Sequence, residues 1–237
     1  MSAETGPRFQ VIGERSSGTN FVSALIGQNI PVPESQIYGW KHGFPQFLVA
    51  PADVTFVVVT RDALSWMKSM YRKPWHTSEA MQRLSFQDFL RAEWDTRVDR
   101  HFMNEIDRLP EFDQPLQWDR HPVEGRTFHN MAELRSVKLA AHLGLRARTD
   151  KMLYLRHQDV VADPEAALDQ VSAMIGVPRC DQFVLPEDHY GWQWNKRREW
   201  LKGQQVDYSE ADIDFVNGQL DWAVEAAAGY EPPTPQG

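Results

Sequence analysis

The stretch Gly13-Glu14-Arg15-Ser16-Ser17-Gly18-Thr19-Asn20 decides how the rest of the chain is read. It follows a short apolar run, RFQVIG over Arg8–Gly13. It precedes Phe21, Val22, Leu25 and Ile26, which are spaced along one face of a helix. Strand, small-residue loop, helix is the order of a phosphate-binding loop, and the glycines at 13 and 18 have its spacing. Successive backbone N–H groups of such a loop point inward, and the helix N-terminus adds about half a positive charge. Together they cradle an anion. The nucleotide-hydrolase version continues with lysine and then serine or threonine, where this chain has Thr19 and Asn20. No lysine is placed for terminal phosphates, which weighs against a magnesium-held triphosphate. The plainer alternative is a tight strand–helix turn that binds nothing.

Outward from that loop, VTFVVVT over Val54–Thr60 reads as a central parallel strand, short, continuous and β-branched. It ends at Arg61-Asp62, and a helix is predicted over Leu64–Arg72. Arg61 falls at the strand's carboxyl end and Ser69 about two helical turns further on, so a guanidinium and a hydroxyl can converge on a second phosphate. The alternative is a surface Arg–carboxylate pair beside a helical serine, with Asp62 capping the helix. A further strand is expected at Ile37–Trp40 and another at Lys151–Arg156. Helix starts are read at Ser85 with Asp88, at Asn130 with Glu133, at Asp163-Pro164-Glu165, and at Ser209. The Asn130 helix carries the apolar stripe Met131, Leu134, Val137 and Ala141, and the last helix turns Ile213, Val216, Leu220 and Val224 inward. Strands alternating with helices imply an α/β layered domain with a mostly parallel sheet, whose ligands bind at the strands' carboxyl ends. Residues 1–230 read as a single domain and the Pro-rich 231–237 as a disordered tail.

A chain of 237 residues can bury a sizeable core. Its formal net charge of −8 argues against a nucleic-acid binder, which presents a basic field, but a small anion needs only a few local cations. Cys180 is the only cysteine, so an internal disulfide and a cysteine zinc cluster are excluded. The start MSAETGPR lacks the basic and apolar regions of a signal peptide, and no apolar run approaches membrane-spanning length. The expectation from these features is a cytoplasmic protein with no membrane partner. The histidines show no His-Glu-x-x-His metal spacing and the serines no Gly-x-Ser-x-Gly elbow.

Taken together, the two loops resemble the motifs with which the P-loop sulfotransferase family binds 3′-phosphoadenosine 5′-phosphosulfate (PAPS). Ser16-Ser17-Gly18-Thr19-Asn20 is similar to the family's 5′-phosphosulfate loop, and Arg61 with Ser69, in RDALSWMKSMY, to its 3′-phosphate motif. Between them, Trp40-Lys41-His42-Gly43-Phe44-Pro45 resembles the Lys-x-His-x-Pro-like segment holding the family's catalytic histidine. LYLRHQDVVADPEAAL (153–168) is similar to the strand, acidic turn and helix that commonly follow, and 208–230 to the terminal helices of some bacterial members. The resemblance implies a three-layer P-loop fold with helices flanking the central sheet. It also implies sulfuryl transfer from PAPS, with PAP as product and no metal, to a hydroxyl or amine of a small-molecule or carbohydrate acceptor.

In that reading His42 is the general base, its ordinary pKa of about 6.5 suiting neutral pH, and Lys41 binds the bridging oxygen. Glu14 is a rival base. The family's usual loop cation is replaced by Ser16, so Arg15 or Lys41 neutralises the sulfonate, with Arg15 ranked ahead. Lys196, Arg197 and Arg198 are candidates for the 3′-phosphate from the C-terminal side, or else a solvated basic segment.

Residues 72–135 are expected to build the acceptor pocket, lined by Tyr71, Trp75, His76, Trp94 and Trp118, although aromatics also close cores. Arg135 and Lys138, three apart on a helix, either face an anionic ligand or pair with surface acids, and the surface pairing is the simpler expectation. The rival classes are an ATP-using P-loop kinase and a PAP-binding relative without catalysis. The sequence leaves the oligomeric state and the acceptor open.

Overall fold

The computed structural model describes residues 6–98, 113–187 and 194–233. These divide into two compact units, one built from residues up to Ala63 together with Ala141–Tyr190, the other from Leu64–Ala140 together with residues from Gly191 on. The expected tail lies largely outside the described residues, as does 99–112 within the expected acceptor region.

The first unit is a mixed α/β structure around a three-stranded parallel sheet in the order β1 (Arg8–Ile12), β2 (Val54–Thr60), β3 (Met152–Arg156). The centre is β2, whose seven residues are all buried, as an uninterrupted β-branched run demands of a strand covered on both faces. Pleating sends alternate residues to opposite faces. Phe9, Val11, Val57, Val59 and Leu155 pack with Val22, Leu25 and Ile26 of α1 (Thr19–Asn29) and with Leu168, Val171 and Ile175. Ile12, Val54, Phe56, Val58 and Met152 gather on the other face with Leu145, Tyr38 and Phe47.

Ile37–Trp40 is not a strand. The side chain of Gln10 takes the place of a ladder there, donating to the carbonyls of Tyr38 and Gly39 at 3.2 and 3.4 Å, and Gly39 is left-handed at φ 84°. Tyr38 of this segment, and Phe47 beyond it, pack on Phe56, the latter stacked at 4.7 Å, so their apolar character serves the core instead.

The chain continues through α2 (Ala63–Arg72), α3 (Glu79–Gln82), α4 (Phe86–Arg91) and α5 (Met131–Leu143). After β3 come α6 (His157–Ala162), α7 (Pro164–Ile175), α8 (Asn195–Leu201), α9 (Glu210–Gln219) and α10 (Trp222–Ala227). The caps follow the sequence closely. Ser85 accepts from the amide of Asp88, Asn130 from those of Ala132 and Glu133, and Asp163 from that of Ala166. Ser209 and Asp212 form a reciprocal capping box.

The second unit has an aromatic core in which Tyr71 packs on Phe86 and Phe89, Phe89 on Trp94, and Phe86 on Tyr208, with centroids 5.0–5.5 Å apart. The expected last helix is two, because Asp221 starts a new one by accepting from the amides of Ala223 and Val224. Among the described residues no helix is long and apolar enough to cross a membrane.

Candidate functional site

The parallel register sets three loop starts side by side. Ile12 is opposite Val58 and Thr60 opposite Arg156, so Gly13, Arg61 and His157 all leave the sheet at its carboxyl edge. Adjacent strands lie about 4.8 Å apart, which places the three loops within a few side-chain lengths of one another.

In the first loop Ser16 (φ 62°) and Gly18 (φ 90°) are both left-handed. Such alternation turns neighbouring N–H groups toward one side and forms a concave anion nest. Gly18 also caps α1 without any side-chain hydrogen bond, so the amides of the first turn are not taken by the cap, and that turn holds no acid. The hydroxyl oxygen of Ser16 is buried and makes no hydrogen bond. Glycine is required at both ends of the loop. A Cβ on Gly13 would lie 3.2 Å from the Val59 carbonyl carbon and closer still to its oxygen, and one on Gly18 would lie 2.9 Å from Nε2 of His157.

Lys41 and His42 are fastened to this loop through Gly13. The Gly13 amide donates to the Lys41 carbonyl at 2.9 Å, and His42 Nδ1 lies 2.7 Å from the Gly13 carbonyl oxygen. A carbonyl can only accept, so Nδ1 carries the proton and Nε2 keeps its lone pair. Burial, and then the Lys41 charge, hold the His42 pKa well below the ordinary 6.5, so the ring is neutral at pH 7. Lys41 Nζ donates to Oδ1 of Asn20, in the first turn of α1, and burial lowers its pKa as well.

Arg15, the cation ranked first from the sequence, is 1% exposed, its Nε donates to Glu14 Oε1 at 2.8 Å, and its guanidinium lies 5.6 Å from the centre of the Trp40 ring. Lys41, the other candidate, reaches the first turn of α1. Glu14, the rival base, accepts with Oε1 from the Arg15 side chain and from the Arg15 amide at 2.7 Å. Arg61 is partly exposed beside His157, whose pKa is lowered by burial and then by the Arg61 charge, against the opposing charge of Asp62.

The other sequence candidates lie in the second unit. Ser69 is partly exposed on α2. Tyr71 is in the aromatic core, its hydroxyl donating to the Leu84 carbonyl at 3.0 Å, and Trp94 is buried with its Nε1 donating to Thr96 at 3.1 Å. Trp75 packs edge-on to Trp194 at 5.7 Å, next to the buried, left-handed His76 (φ 58°), and Trp118 is 59% exposed. Arg197 acts as a strut. Its Nε donates to the Tyr71 carbonyl at 3.0 Å and its Nη1 to that of Gln82, while Arg198 donates to Asn195 and Lys196 is exposed.

The expected surface pairing of Arg135 and Lys138 is overturned, because α5 is buried around most of its circumference. Arg135 makes a two-pronged pair with Glu225 at 2.5 and 2.8 Å, and Lys138 pairs with Asp119, with all four side chains buried. No group of three or more His, Cys, Asp or Glu placed to hold a metal occurs among the described residues.

No protein-family model matches the chain, and no curated protein matches it in sequence. His157 escaped the sequence reading. The signal was available, since it follows β3 as Arg61 follows β2, and carboxyl ends of parallel strands are where ligands bind.

Proposed function

We propose that this protein is a sulfotransferase, moving a sulfuryl group from PAPS to a hydroxyl or amine of a small-molecule or carbohydrate acceptor on a three-layer P-loop fold. The observation that carries the reading is the grouping at one sheet edge of a lysine-less anion nest, the Lys41-His42 pair fastened to its first glycine, and Arg61 at the end of the next strand. The unpartnered Ser16 hydroxyl inside the loop fits an anionic ligand, since a buried hydroxyl without a hydrogen bond is costly. PAPS, when bound, supplies an activated sulfuryl group on a phosphate leaving group and a second phosphate at the 3′ position.

The residues divide the work. Backbone N–H groups of Gly18, Thr19 and Asn20, with the Ser16 hydroxyl, bind the 5′ anion, the Ser17 amide being held by the Glu14 carbonyl at 3.2 Å, and Lys41 adds a cation there. Arg61 binds the 3′-phosphate, which separates this nucleotide from ATP. His42, with Nδ1–H committed to Gly13, accepts the acceptor's proton at Nε2. Fixed donors that need no rearrangement stabilise charge developing on the leaving phosphate.

The test is a thermal-shift comparison of PAP, ADP and ATP, with and without magnesium. A ligand at a hundredfold excess over its Kd adds about 2.7 kcal/mol of stability, which for a protein of this size raises Tm by about 5–10 °C. PAP is expected to do so without metal and to lose most of the effect in Arg61→Ala. A shift given by ATP with magnesium and not by PAP refutes the assignment.

A further inference from the structure

The side chain placed against His42 is Trp40, whose ring centre lies 5.5 Å from that of the imidazole, with the planes at 89°. On Trp40 also rests the Arg15 guanidinium, 5.6 Å from the ring centre. Arg15 is in turn immobilised. Its side-chain Nε and its own backbone amide both donate to one oxygen of Glu14, at 2.8 and 2.7 Å, and the side chain is almost wholly enclosed. A planar cation on an aromatic face is an attractive contact, and the rigid fork of arginine suits it better than the mobile ammonium of lysine. The series Glu14, Arg15, Trp40, His42 is thus a line of contacts that begins in the anion loop and ends on the imidazole.

We infer that Trp40, backed by the Glu14–Arg15 pair, is a positioning residue that holds the His42 ring in the orientation in which Nδ1–H meets the Gly13 carbonyl and Nε2 is the proton-accepting nitrogen. This rests on the reading of His42 as the base. The side chain's own Cβ–Cγ bond and the Nδ1 contact with the Gly13 carbonyl fix the ring along one edge. An aromatic partner at right angles adds a wall against the ring and favours that one orientation.

The charged groups facing His42 are Lys41 and Arg15, which disfavour the imidazolium, and Glu14, which favours it. Desolvation by burial disfavours the imidazolium most, and Lys41 is the largest of the charges acting with it. Arg15 therefore supports the base through the Trp40 ring, while Lys41 is the cation that reaches the first turn of α1.

The test titrates the histidine side chains of the ligand-free protein by long-range proton–nitrogen NMR, with His157 as an internal monitor of the folded loop. In wild type His42 is expected as the Nδ1–H tautomer with a midpoint well below 6.5. In Trp40→Leu the midpoint moves up toward 6.5 and the two tautomers mix, while the His157 signal stays in place. Arg15→Lys keeps the charge for Glu14 but removes the flat guanidinium, and it gives a smaller change in the same direction. It also decides the matter should Trp40→Leu not fold. A His42 whose midpoint and tautomer are unaltered in the folded variants overturns the brace. The titration needs no nucleotide, so absent PAP binding would sink the sulfotransferase reading, whereas an unchanged His42 would sink only the role given to Trp40.

Discussion

Replacing Gly18 with alanine tests the loop most directly, because two separable costs meet at that residue. The first is backbone. At φ 90° a residue with a Cβ is strained by about 1–2 kcal/mol. The second is packing, since the new methyl would fall on the Cδ2–Nε2 edge of His157, 2.9 Å from Nε2, and one of the two must move. Overpacking of this kind costs about 1–3 kcal/mol. Gly18→Ala is therefore expected to lose about 2–5 kcal/mol in urea unfolding. Removing the ring leaves only the backbone part, so in a His157→Ala background the same change costs about 1–2 kcal/mol. The double-mutant coupling should then be about 1–3 kcal/mol in the relieving direction. A coupling below about 0.5 kcal/mol would mean that His157 does not bear on Gly18, and the placement of β3's carboxyl end beside the anion nest would have to be given up.

Stability should also respond to pH with a definite sign. His42 and His157 both have pKa values lowered from the ordinary 6.5, so below that pH the unfolded chain binds more protons than the folded one. Their stabilising contribution is present at neutral pH and is lost as pH falls from 6.5 toward the folded values, at up to about 1.4 kcal/mol per pH unit for each ring. Tm measured from pH 7.5 downward should drop less steeply in His42→Gln than in wild type, and equal slopes would contradict the lowered value. In the second unit, Arg135→Met strands the Glu225 carboxylate in a fully buried position and should cost about 3–5 kcal/mol in denaturant. Arg135→Met with Glu225→Leu should recover most of that loss, and a double variant as unstable as the single one would show that the pair contributes more than mutual neutralisation.

What the sequence disclosed, and what it withheld, follows the range of the interactions. β2 was legible because seven consecutive residues of one character leave a parallel central strand as the economical reading. The caps at Ser85, Asn130, Asp163 and Ser209 were legible because each hydrogen bond closes within three residues. The Ile37–Trp40 segment misled, since only Tyr38 of it packs on the core while Ile37 is exposed, and Gln10 supplies the hydrogen bonds that a neighbouring strand would have given.

Partners far apart in the chain were out of reach. Nothing near Arg135 announces Glu225, ninety residues on, and Glu225 itself faces inward only because Asp221 starts a fresh helix there. Arg15 shows the same limit at closer range. Its acid is the preceding residue, but the Trp40 ring beside its guanidinium reaches it only through the fold.

Gly13 carries two tethers, one from its amide to residue 41 and one from its carbonyl to residue 42. Whatever occupies the nest, its spacing from the imidazole is set like the jaws of a fixed-gap caliper, because both are hung on the same peptide units. A change of acceptor cannot be met by sliding the proton-accepting nitrogen relative to the anion. It has to be absorbed by side chains outside that pair of loops, so variants selected for new acceptors should leave positions 13, 41 and 42 alone.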